Sequence, residues 1–272
     1  MAAVRPPAVA GSFYPARAHA LRAVVREYLN EARRSVGSLD AVPKAIVVPH
    51  AGYTYSGPVA ASAFVLLESS SEVVDRVVLI GPSHHVPFEG LALPSSTAFE
   101  TPLGRVPIDE TARRQLLELP FVSAIDDAHR WEHSLEVQLP FLQEVLGTFA
   151  VLPIAVGRAG PEQVAEVLEA LWGGDETVLV ISSDLSHYHD YDTARRMDAA
   201  TAAAIESLQP NRIGYEDACG RIGVQGLLEA AQGRSLASHT LDLRSSGDTA
   251  GARDEVVGYG AWAFTVSKNG SP

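Results

Sequence analysis

The chain has 272 residues, of which 46% are hydrophobic and 20% charged, enough for a sizeable core and too apolar for a disordered chain. Its net charge of -12 excludes the basic surfaces that nucleic acid and anionic membranes select. A single cysteine, Cys219, excludes an intramolecular disulfide framework.

The opening stretch "MAAVRPPAVAGSFYP" carries prolines where a signal peptide needs a continuous apolar core. No apolar run approaches the roughly 20 residues that span a bilayer, so a soluble cytoplasmic protein is expected. Residues 20–34 then place Leu21, Val24, Val25, Tyr28 and Leu29 at helical spacing. "KAIVVPH" reads as a buried strand, "GPVAASAFVLLES" as a helix and "DRVVLIGPSHH" as a second buried strand. "GLALPSS" and "GRVPID" read as short extended pieces around a turn. Asp109 is a fitting N-cap for a helix over "DETARRQLLEL". "SLEVQLPFLQEVL" is helical, with a kink or restart expected at Pro140. "FAVLPIAVG", "PEQVAEVLEALW" and "ETVLVISSD" continue as strand, helix, strand. "DTARRMDAATAAAIESL" and "CGRIGVQGLLEAA" read as helices. "SLASHTLDLRSS" and "DEVVGYGAWAFTVS" alternate like an antiparallel pair. Alternating strands and helices predict a single α/β domain over residues 1–272, with a mainly parallel central sheet and helices on both faces.

Three of the buried strands end alike. "IVVP" runs into His50, "VVLIGPS" into His84 and His85, and "LVISS" into Asp184, His187 and His189. Five of the nine histidines fall in these three loops, a concentration that capping or core packing does not explain. Ligands of open α/β sheets sit beyond the carboxyl ends of the strands, so the loops are expected to converge on one site. Imidazoles suit zinc, copper, iron and nickel, and two histidines with one anionic ligand leave positions open for a catalytic metal. The third ligand could be Asp184, Glu132 or Cys219. Cys219 opens a predicted helix, whose dipole would lower the thiol pKa. Glu132 and His133, in "HRWEHSLE", are candidate pocket residues, at least one of them expected to touch the substrate or support the ligands from behind, the alternative being that both stay in solvent while Ser134 caps the helix. Tyr53 and His85 are placed at the pocket wall. Neighbouring residues of an extended segment point to opposite sides, so His85 reaches the site only by a turn if His84 faces it. "EHSLE" is not a zinc-protease signature, and the chain has no GxSxG elbow, P-loop or GxGxxG.

The motifs "PAVAGSFYP", "PHAGYTYSG", "GPSHHVPFEG", "TPLG", "EHSLEVQLPFL", "SSDLSHY" and the "CG" at Cys219 occur in the order found in the Memo family, also called AmmeMemoRadiSam system protein B. The resemblance covers roughly residues 5 to 266 of this chain. It implies the architecture of the catalytic subunit of class III extradiol dioxygenases, which are non-haem Fe(II) enzymes. It implies His50, His84 and Cys219 as metal ligands, with iron or copper first and zinc as a further option. It implies Asp184 and His187 as pocket residues, His187 matching an acid/base histidine; a carboxylate beside an imidazole fixes its tautomer, so Asp184 is expected to orient His187 as the proton carrier. "CGRIGVQG" lacks the proline that many relatives carry after the cysteine. Three functions follow: a metal-dependent redox enzyme acting on a small molecule, a non-catalytic protein that holds a peptide or partner in a vestigial dioxygenase pocket, or a purely structural role inside a complex. The system name implies AMMECR-type and radical-SAM proteins as companions; neither nucleic acid nor membrane is an expected partner.

Overall fold

The computed structural model describes residues 3–37, 39 and 41–266. Its first half runs β1 (Val4–Arg5), α1 (Ala18–Ser35), β2 (Ala45–Val48), α2 (Tyr53–Phe64), β3 (Arg76–Pro82), β4 (Leu91–Leu93), β5 (Ala98–Thr101), β6 (Gly104–Pro107), α3 (Glu110–Leu116), β7 (Val122–Ala124), α4 (Asp126–Arg130) and α5 (Leu139–Leu146). The second half runs β8 (Ala150–Val156), α6 (Pro161–Ala170), β9 (Thr177–Ser182), β10 (His187–His189), α7 (Tyr191–Glu206), α8 (Arg221–Gly233), β11 (Leu236–Ser245), α9 (Ser246–Thr249) and β12 (Val256–Val266).

The expected α/β architecture is present as a mixed sheet of nine strands, in the order β10-β12-β2-β9-β3-β8-β4-β7, with β11 on the other side of β12. Its centre is the parallel quartet β2-β9-β3-β8. Ile46, Val78, Leu79 and all of Leu179–Ile181 are fully buried, as strands covered on both faces must be. One helix group, α1, α2 and α5, packs on itself, and α6 packs on α8 as a second. A separate three-stranded sheet, β1-β5-β6, carries the N-terminal residues.

Several sequence expectations hold in detail. Asp109 caps α3 by accepting hydrogen bonds from the backbone N–H groups of Thr111 (3.0 Å) and Ala112 (2.9 Å). The tail forms the antiparallel pair β11–β12, apart from Ser267, which lies outside the described residues. Pro140 restarts the helix: a 3-10 turn over Glu136–Gln138 gives way to α5, whose first turn holds the proline. Tertiary pairing supplies what local pattern did not, above all β10, which exists by pairing with β12.

A buried ion pair joins the two sheets' surroundings. Arg5 donates to the Glu136 carboxylate, to the carbonyl of His129 (2.7 Å) and to that of Glu132 (2.6 Å). Glu136 also accepts from the backbone of Ala8 (2.7 Å) and Val9 (3.0 Å) and from the Tyr14 hydroxyl. Both charges are therefore saturated by hydrogen bonds, the condition under which a buried pair is tolerated. Replacing Arg5 with Met should leave an uncompensated carboxylate and cost about 3 kcal/mol or more of unfolding free energy. Urea denaturation measures this, and a loss under about 1 kcal/mol would contradict the role given to the pair.

Candidate metal centre

The carboxyl ends of three adjacent strands, β2, β9 and β3, deliver His50, Asp184 and His84 to one place. Strand pairing continues into their loops, with Ser183 N–H on the Val48 carbonyl and Ser83 N–H on the Val156 carbonyl, both at 2.9 Å. Together with His133 these loops form the floor of a cleft of about 670 Å³. His50, His84, His133, Asp184, His187 and Cys219 all line it. That volume lies in the range of small-molecule sites.

The hydrogen bonds fix how the imidazoles face the cleft. The Ser182 hydroxyl has one proton, which it donates to the Ser134 carbonyl at 2.6 Å. It must then accept at its contacts with Gln138 Nε2 (2.8 Å) and His50 Nδ1 (2.8 Å). His50 Nδ1 therefore carries the hydrogen and Nε2 presents a lone pair. His84 follows the same logic: its Nδ1 lies 2.9 Å from Glu132 Oε1, and a carboxylate only accepts. Glu132 is further fixed by the N–H groups of His84 (2.6 Å) and Ser134 (2.9 Å). His187 donates from Nδ1 to the Leu185 carbonyl at 2.7 Å. Three ring nitrogens are thus left as acceptors by partners behind them, the arrangement in which histidine binds metal or takes up a proton.

His50, His84 and His133 each offer a ligand atom within 4.8 Å of the others, a group that could hold a metal ion. The His84 and His133 rings stack at 4.6 Å, and His50 meets both edge-on at 5.1 and 5.6 Å. Cys219 lies outside this trio, but its Sγ is 3.2 Å from His50 Nε2. Its placement depends on Gly220, where a Cβ would come within 2.5 Å of the Ser182 carbonyl.

Electrostatics separates these groups. Burial, then the neighbouring His84, holds the His50 pKa well below the usual histidine value. Burial and His50 press His133 down to about 4. Burial works against charge on His84 as well, but the hydrogen bond and charge of Glu132 outweigh it and raise its pKa. The same contact holds Glu132 far below the carboxylate range despite its burial. Asp184 is raised by burial, opposed by the His50 N–H donated to it at 2.7 Å.

Five expectations need correction. Burial and the nearby Asp184 push the Cys219 thiol up, and α8 begins only at Arg221, so a helix dipole does not govern it. His187 is held by Leu185, not by Asp184. Tyr53 belongs to the core, where its hydroxyl donates to the Val137 carbonyl at 2.6 Å between Tyr14 and Phe141. Glu132 is buried behind His84 and does not line the cleft. His85, expected at the pocket wall, is exposed and does not line the cleft: β3 ends at Pro82 and the chain bends through His84 and His85, leaving the His85 ring 6.0 Å from that of His133. Phe13 and Tyr188 fall within the motifs "PAVAGSFYP" and "SSDLSHY" without standing out there, and nothing in local pattern marks Tyr215 or Arg221; all four wall the cleft. Ser182 had a signal, as the hydroxyl closing a buried strand beside the histidines.

The motifs that place these residues recur in known proteins. Residues 5–263 match the family described as Memo-like protein. A MEMO1 family protein of Aquifex aeolicus is 35% identical, covering 94% of this chain and 97% of its own. Those of Archaeoglobus fulgidus (35%; 97% and 100%) and Ignicoccus hospitalis (38%; 97% and 99%) are similar over equal spans. Since the match takes in every loop that builds the cleft, the chain belongs to the Memo-like protein family.

Proposed function

We propose that the cleft is the active site of a metal-dependent oxidoreductase, with iron or copper as the metal of first choice and zinc as a weaker candidate. The observation that carries this reading is the tautomer arrangement: Ser182 and Glu132 each occupy the Nδ1 hydrogen of a histidine and leave Nε2 free towards the cleft. The donor set fits such an ion. His50 and His84 would hold it, with the Cys219 sulfur as third donor at a ligand-to-ligand spacing of 3.2 Å from His50. Ligand bonds of 2.0–2.3 Å around one ion place neighbouring donors about 3.3–3.6 Å apart. A bound ion would also drive off the thiol proton that burial retains. A second assignment gives the third position to His133, which the 4.8 Å grouping favours.

The metal would supply electron transfer and polarisation of a bound oxygen atom. The chain's residues do the rest. Glu132 and Ser182 orient the rings, Asp184 holds the His50 backbone, and the walls exclude water from the floor. His187, with Nδ1 occupied by Leu185, takes or gives a proton at Nε2. A protein that only bound a partner would not need that residue beside the donors.

In the metal-free protein, Glu132→Gln should cost about 2 kcal/mol at mildly acid pH. The raised pKa of His84 gives stability that is complete below about pH 6.5 and lost as pH rises through its folded value. The depressed pKa of Glu132 gives the same contact stability above about pH 4.3, lost as pH falls. The difference between wild type and variant should therefore peak between these limits, read by denaturant unfolding across pH. A gap that widens steadily into alkaline pH would contradict the pair.

Metal analysis of anaerobically purified protein tests the centre itself. His84→Ala should abolish uptake, and Cys219→Ser should weaken it tenfold or more. If His133→Ala is the variant that loses metal and Cys219→Ser retains it, the second assignment holds. His187→Ala should keep the metal and lose most oxygen consumption with a reductant present. Wild type that takes up no transition metal would leave the binding-protein reading in place of the enzyme.

A further inference from the structure

The outer half of the cleft has a character unlike its floor. Arg221, the first residue of α8, lines it half-buried, and among the described residues no carboxylate lies within 4.0 Å of its guanidinium. The other arginines that are buried or half-buried are spoken for: Arg5 by Glu136, Arg22 by Glu144, Arg76 by Asp109, Arg113 by Glu110 and Arg244 by Asp242. Arg221 instead rests against the Tyr215 ring, 5.6 Å from its centroid, which restricts a long side chain without neutralising it. In a chain of net charge -12, a half-buried arginine facing a cavity without an acidic partner is conspicuous.

The walls beside it are aromatic and wasted on packing. Tyr215 is 79% exposed and Tyr188 is 73% exposed, yet both line the cleft. Tyr188 is held there at a φ of 60°, a left-handed conformation that a bulky residue adopts only when its surroundings impose it. Phe13 closes the opposite side, its ring 4.7 Å from that of His133. Flat apolar faces with a single convergent cation suit a ring-bearing anion, held by stacking and by a forked ion pair. The remaining charged groups limit how much charge is admitted: Glu216 and Asp184 also line the cleft and repel a second negative charge.

We propose that Arg221, with Tyr215 and Tyr188, forms the anion subsite of the cleft, and that the substrate is a small monocarboxylate with an aromatic or similarly flat body. Arg221 takes the carboxylate and the body lies along the tyrosines with its far end towards the histidines. This rests on reading the histidine cluster as the reactive centre, but the subsite itself needs no metal.

The test uses metal-free full-length protein and four probes followed by NMR titration: benzoate, benzamide, phenyl phosphate and acetate. Benzoate should bind at least tenfold more tightly than benzamide, which has the same ring without the charge, and than acetate, which has the charge without the ring. Arg221→Gln should remove the preference for benzoate over benzamide, and Arg221→Lys should restore part of it. Tyr215→Ala should weaken benzoate and benzamide alike. Zinc uptake by each variant reports that the fold and the floor of the cleft are intact. Equal binding of benzoate and benzamide to wild type, or an unchanged preference in Arg221→Gln that still takes up zinc, overturns the subsite. Phenyl phosphate binding more tightly than benzoate overturns the monocarboxylate class. A wild type that prefers benzoate but takes up no metal leaves the subsite standing and removes the redox function alone.

Discussion

The Arg5–Glu136 pair is the constraint on which the site rests. It sits outside the cleft, yet it joins the N-terminal segment to the stretch that carries Glu132, His133 and Ser134. Through Glu132 it reaches His84, and through the Ser134 carbonyl it reaches Ser182 and so His50. Through Ala8, Val9 and Tyr14 it sets the course of the chain that brings Phe13 against His133. Two charges removed from water are costly, and here five further hydrogen bonds offset that cost. What the pair contributes is less stability than position: it makes one rigid unit of pieces more than 120 residues apart.

The strand quartet contributes the other coordinate. Parallel strands end on the same side of a sheet, so residues just past them converge without any local instruction. β2, β9 and β3 are neighbours in space although β9 comes last in sequence. His50, Asp184 and His84 are therefore adjacent because of crossover topology; the Ser182 hydroxyl at the end of β9 becomes the partner of His50, and Glu132 reaches in from outside the sheet to hold His84.

This explains what could be read in the sequence. The strand-end histidines were legible because buried parallel strands have an unbroken apolar signature, and the residue after the break must lie at the sheet's edge. The place of His85 was not: the strand ends at Pro82, and the bend that follows carries His85 off the cleft. Nor was that of Tyr53: nearness to His50 in sequence says nothing of direction once a helix starts there, and its ring turns into the core. The state of Cys219 depended on burial and on Asp184, both products of tertiary packing, and these override the helix-end argument. Tyr188 and Tyr215 come from segments with no periodic pattern and Arg221 from the start of a helix, and only the closed fold gives them a shared wall.

The sheet also distributes mobility. His50 and His84 follow interior strands, bonded on both sides along most of their length. His187 stands on β10, a three-residue outer strand that pairs with β12 through two positions and a bulge. Opening free energies fall towards sheet margins and short ladders, so amide hydrogens near His187 should exchange with solvent long before those of β2 or β3. The two imidazoles at the floor of the cleft are thus anchored in the interior of the sheet, while the third stands at its margin, held there by the Leu185 carbonyl and a short ladder.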